Sequence, residues 1–80
     1  MTHVEIEYCV PCGMLDRAQD VQAAILEGYG TEVDSVSLVA GDGGVFEVRA
    51  DDEVIFDEES DEFDVDAIVD AVGGRVGAAA

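Results

Sequence analysis

Two cysteines, Cys9 and Cys12, stand three apart, with the only proline of the chain, Pro11, between them. Thiols at this spacing close a small ring without moving the chain far, which suits a reversible dithiol. One thiolate attacks a disulfide or oxidised thiol on a partner, and the second releases it by closing the Cys9–Cys12 bond. Before the pair, Val4-Glu5-Ile6-Glu7-Tyr8 alternates apolar and acidic residues, the period-two pattern of a half-buried strand. After it, Met14 to Tyr29 carries apolar residues at helical spacing. The thiols therefore sit where a strand ends and a helix begins. Unpaired N–H groups and the positive end of the helix dipole stabilise a thiolate there. By that argument Cys9 is expected to be the more exposed thiol and the attacker, with Cys12 resolving.

The neighbouring residues have supporting roles or plain ones. Pro11 fixes φ and removes a donor, stiffening the turn into a helix expected to begin near Gly13. Tyr8 is within reach of a hydrogen bond near the thiols, although a tyrosine at a strand end more often packs. Arg17, about one turn past Cys12, either lowers a thiol pKa or pairs with Asp16 or Asp20 on the surface. With one proline, no cis-proline can face the dithiol from another strand. Gly43-Gly44 either brings backbone to the CxxC loop in its place or forms a tight turn. His3 reads as surface, and Phe46, Phe56 and Phe63 as core. Two incidental cysteines are the bland alternative. A structural zinc needs four ligands, and Cys9, Cys12 and His3 would require carboxylates or a second subunit to complete them. Neither a Ser–His pairing nor a phosphate loop is present, so no cofactor and no metal are expected.

Twenty acidic residues face three arginines and no lysine, for a net charge of −17 on 80 residues. The acids are dispersed rather than gathered in a tail, as on a surface suited to concentrated salt. At molar salt the Debye length is about 3 Å, and self-repulsion largely vanishes. We read this as adaptation to a salt-rich cytoplasm, as in a halophilic archaeon. The same balance argues against nucleic acid, whose phosphates call for basic residues. No apolar run approaches the roughly 20 residues of a membrane span, and no signal peptide is evident, so a cytoplasmic location is expected. There a CxxC pair points to redox or metal chemistry rather than a structural disulfide.

The elements that position the pair follow from periodicity. Strands are expected at Val4–Tyr8, Val33–Val39, Val45–Ala50 and Glu53–Asp57. The helices are expected from near Gly13 to Tyr29 and over Val65–Val72. Along the first helix, Leu15, Ala18, Val21, Ile25 and Tyr29 trace one face. Asp51-Asp52 joins a hairpin, Asp57–Glu62 is a solvated acidic loop, and Asp64 caps the last helix. Gly73-Gly74 is expected to stop that helix, leaving residues 1–74 as one domain and 75–80 as a flexible tail. The order β-α-β-β-β-α, with CxxC at the first strand–helix junction, describes a reduced thioredoxin-like α/β fold. Its four-stranded mixed sheet has the expected order 2-1-3-4, with both helices on one face. On the last strand, Val54 and Phe56 share a face with Ile55 opposite. The uncovered sheet face, with Val45 and Ile55, is then a candidate surface for a partner or a homodimer.

Tyr8-Cys9-Val10-Pro11-Cys12-Gly13-Met14-Leu15-Asp16-Arg17-Ala18 resembles the opening motif of the selenoprotein W-like (Rdx) family. Gly43-Gly44-Val45-Phe46-Glu47-Val48 resembles its second signature. The likeness runs from about Val4 to Val72. Met14 stands where an aromatic residue is common, and acids replace basic residues in the last third. The resemblance implies a thioredoxin-like fold, thiol oxidoreductase activity and an intracellular location. The dithiol mechanism itself calls for a thiol- or disulfide-bearing protein, or a low-molecular-weight thiol, as partner. Selenium-containing relatives carry selenocysteine at the position of Cys12, which leaves the order of the two thiols open. The competing class is a non-enzymatic binding module, either a metal-bridged dimer or an adaptor docking by the open sheet face.

Overall fold

A computed structural model describes residues 2–58 and 62–79, the last three of these by backbone alone. The strands are β1 (His3–Cys9), β2 (Ser35–Gly41), β3 (Phe46–Ala50) and β4 (Glu53–Asp57), and the helices α1 (Leu15–Tyr29) and α2 (Val65–Ala79). The sheet order is β2-β1-β3-β4, with β1 parallel to β2 and antiparallel to β3, as the β-α-β-β-β-α pattern predicts. A fifteen-residue helix gives the parallel pair its crossover.

Alternation along β1 and β3 sends Val4, Ile6, Phe46 and Val48 into one core with Ala18, Val21 and Ile25 of α1 and Ile68 and Val72 of α2. Phe46, Phe56 and Phe63 meet edge to face, with centroids 5.5–6.3 Å apart, so all three phenylalanines pack together as expected. Leu15, expected on the buried face of α1, is exposed, and Met14 packs against the core just before the helix instead. The helix starts two residues later than predicted because Gly13 has φ of 74° and cannot belong to it.

The β3–β4 hairpin turns at Asp51 and Asp52, both with positive φ. Its register shifts between Val48 and Arg49, so that Phe56 faces Val48 but Val54 faces Arg49. This bulge corrects the expected alternation. Ile55 packs against the core rather than on the open sheet face, and Val54 is exposed. Directly paired residues share a face, so Glu5, Glu7, Glu47, Arg49 and Val54 occupy the uncovered side. That side is charged at its centre.

Asp64 caps α2 as predicted, its Oδ1 accepting from the N–H of Asp66 (3.0 Å). The predicted stop at Gly73-Gly74 is overturned. The helix runs through both glycines to Ala79, and Val76 joins the core, so the expected frayed tail is helical over the described residues. Gly73 has a packing role instead. The Tyr29 hydroxyl donates to the Val69 carbonyl (2.6 Å), and a Cβ on Gly73 would overlap that hydroxyl. Of the predicted acidic loop, Glu59, Ser60 and Asp61 lie outside the described residues, while Asp57 ends β4.

The two glycines therefore respond oppositely to the same change. Gly73→Ala displaces Tyr29 and is expected to destabilise by about 1–3 kcal/mol. Gly74 has open space around its Cβ position. Gly74→Ala is expected to stabilise by about 0.5–1 kcal/mol, through a less flexible unfolded chain. Urea midpoints in concentrated salt read both signs.

Candidate active site at the strand–helix junction

Sheet pairing carries β1 through Cys9, which lies opposite Gly41. One residue later the Val10 N–H still donates to the Gly41 carbonyl (3.0 Å). The chain then turns sharply, with Gly13 N–H on the Val10 carbonyl (3.1 Å) and Met14 N–H on the Cys9 carbonyl (3.4 Å). Positive φ at Gly13 lets this turn close directly into α1. Cys9 and Cys12 are joined in a disulfide, with Cα atoms 5.3 Å apart.

The exposures reverse the expectation drawn from the helix terminus. Cys9 is 0% exposed, whereas Cys12 is on the surface. The reason is the strand. Cys9 is the last residue of β1 and is held inside by pairing to β2, while Cys12 rides on the turn beyond it. Pro11 is exposed between them, beside Val10, itself 50% exposed. No side chain caps α1, so the positive end of its dipole faces the turn that carries Cys12.

The other predicted residues fall as follows. Tyr8 packs against the core, paired with Phe46 across the sheet. Gly43 and Gly44 take φ of 71° and 82° with open space at both Cβ positions, so they shape the turn. The glycine that a side chain would crowd is Gly41, the register partner of Cys9. A Cβ built there would lie 2.8 Å from Val45 Cγ1 and 2.9 Å from Glu7 Oε2. His3 is exposed and its ring meets the Ser35 hydroxyl. Arg17 follows neither expectation. It pairs with Glu58 at 2.5 Å and lies 4.5 Å over the Phe63 ring, tying the start of the acidic loop to α1.

Sequence reasoning missed Gly41, Glu7 and Arg49. Arg49 binds Glu7 and Glu47 (both 3.1 Å) and approaches Glu5 (3.6 Å) on the open face. Burial of the guanidinium opposes its charge. The hydrogen bond to Glu7 and the fields of Glu7, Glu5 and Glu47 outweigh that, and the pKa of Arg49 is raised. A raised pKa stabilises the folded state at every pH below the ordinary arginine range, so this contribution is constant through the neutral range. Strand alternation alone places Glu5, Glu7 and Cys9 on one side of β1, a signal available in the sequence. Among the described residues no three His, Cys, Asp or Glu gather as a metal site, and no helix is long and apolar enough to cross a membrane.

The model of the Rdx family matches residues 3–73. The chain belongs to the Rdx family. No significant match appears among curated proteins. A crystal structure of a protein from Bordetella parapertussis is 26% identical, with a TM-score of 0.87 over 92% of this chain and 96% of that one. A selenoprotein W-related protein from Vibrio cholerae is 22% identical, with a TM-score of 0.86 over 94% of this chain and 96% of that one. The Rdx fold is thioredoxin-like and the family is associated with redox chemistry, with which the Cys9–Cys12 disulfide agrees.

Arg49 separates three carboxylates that would otherwise repel one another. Arg49→Met is expected to destabilise this Rdx protein by about 1–2 kcal/mol in dilute buffer, and by less in molar salt, where that repulsion is screened. Unfolding midpoints at the two ionic strengths check it.

Proposed function

We propose that this Rdx protein is a thiol–disulfide exchange protein in which Cys12 attacks and Cys9 resolves. The observation that carries this reading is the unequal exposure of the two cysteines. A partner disulfide reaches only the surface thiol. In the reduced protein the Cys12 thiolate attacks one sulfur of that disulfide and expels the other as a thiolate. The Cys9 thiolate then attacks Cys12 Sγ, the bond from Cys12 to the partner breaks, and the Cys9–Cys12 bond forms. Two electrons pass from the dithiol to the partner, whose disulfide becomes two thiols. An external dithiol reductant resets the pair.

The partner is a disulfide-bearing protein or a low-molecular-weight disulfide in a reducing compartment. Nucleic acid is disfavoured by the net charge of −17. The adaptor reading relied on an apolar open sheet face. That face instead carries Arg49 and its glutamates, which favours the dithiol reading.

Single cysteine variants separate the roles. Cys9→Ser is expected to accumulate a mixed disulfide through Cys12, because nothing remains to displace the partner. Cys12→Ser is expected to lose turnover and to form adducts at least roughly tenfold more slowly, since its one thiol is buried. Intact-mass spectrometry of each variant with an oxidised thiol substrate reads both. A mixed disulfide forming faster on Cys9 than on Cys12 would reverse the assignment.

A further inference from the structure

A fully buried thiol must lose its proton before it can attack, and water does not reach Cys9. Glu7 lies two residues before Cys9 on β1, and alternation sets both side chains on the same side of the strand. The Glu7 side chain leans along that face toward Cys9. Its Oε2 comes to 2.9 Å from where a Cβ on Gly41 would stand, and Gly41 is the register partner of Cys9. The other oxygen, Oε1, is held by Arg49 Nη1 at 3.1 Å. One oxygen is thus anchored while the other lies over the residue facing the buried thiol. Gly41 leaves the space for it.

Resting on the dithiol reading above, we propose that Glu7 is the proton acceptor for Cys9 in the resolving step. The proton moves from Cys9 Sγ to Glu7 Oε2, and the thiolate so formed attacks Cys12 Sγ. The partner thiolate leaves and takes up a proton, either from Glu7 directly or from solvent to which Glu7 gives up its own, so the carboxylate returns to its starting state. Glu5 on β1 and Arg49 and Glu47 on β3 are the charged groups that face Glu7, with Asp57 beyond, opposite Glu47. The β2 residues on this side, Ser37 and Val39, are uncharged. The role belongs to the second step alone, because Cys12 is at the surface and exchanges its proton with water.

The test is single-turnover reaction of the reduced protein with 4,4′-dithiodipyridine, an uncharged disulfide, in molar salt. Attack by Cys12 releases one coloured thione and ring closure by Cys9 releases a second, so both steps are read in one trace. Glu7→Gln is expected to leave the first release unchanged and to slow the second roughly 10- to 100-fold at pH 7. The second release should then rise with pH, about tenfold per unit below the ordinary thiol pKa of about 8.5. Gly41→Ala, which displaces the carboxylate but keeps its charge, is expected to slow the same phase. Glu5→Gln removes a neighbouring charge from the Arg49 cluster and is expected to change neither. Unchanged second phases in both Glu7→Gln and Gly41→Ala would overturn the proposal, as would equal slowing of both phases or an equal effect of Glu5→Gln. A wild-type protein lacking any second release would instead overturn the dithiol reading itself.

Discussion

The pairing of Cys9 with Gly41 is the constraint on which the site depends. By carrying the parallel ladder to the last residue of β1, and one hydrogen bond further at Val10, it holds one sulfur inside the protein. The turn that follows brings the second sulfur back within bonding distance in three residues, and a positive φ at Gly13 then leads the chain directly into α1. Asymmetry between the thiols is thus a property of strand register. It would persist whatever the sequence of α1, provided the helix begins beyond Gly13.

Electrostatics sets the conditions under which that geometry holds. All three arginines are engaged with glutamates: Arg17 with Glu58, Arg75 with Glu53, and Arg49 with three carboxylates at once. The positive charges are spent on joining elements: α1 to the end of β4, α2 to the hairpin, and β1 to β3. Twenty acids against three arginines leave a large net negative charge, whose self-repulsion dissolved salt screens. Exposed ion pairs stabilise little on their own. The Arg49 cluster differs because it is half-buried and keeps like charges apart on the face that borders the dithiol.

Much of this was legible in the sequence. Among the described residues, period-two and helical spacings located the four strands and both α-helices, Asp64 marked its cap, and Asp51-Asp52 marked the hairpin, because each is a local signal. What was not legible depends on contacts between distant segments. Gly73-Gly74 looks like a helix stop until Tyr29 is seen to occupy the space over Gly73. Ile55 looks outward until the bulge opposite Val48 and Arg49 turns it toward the core. Arg17 has acids nearby in sequence, yet its partner is Glu58, forty-one residues away. Helix-terminus physics points to Cys9 as the exposed thiol, and the strand that ends at Cys9 decides the opposite.

The most direct test of the account is the redox titration of Cys9 and Cys12, read by alkylation and mass spectrometry across graded dithiol buffers in molar salt, with zinc measured on the same sample. The account predicts a metal-free pair behaving as one two-electron couple, between about −180 and −270 mV, the range of known oxidoreductases. A pair that never closes intramolecularly, or that holds zinc, would contradict it.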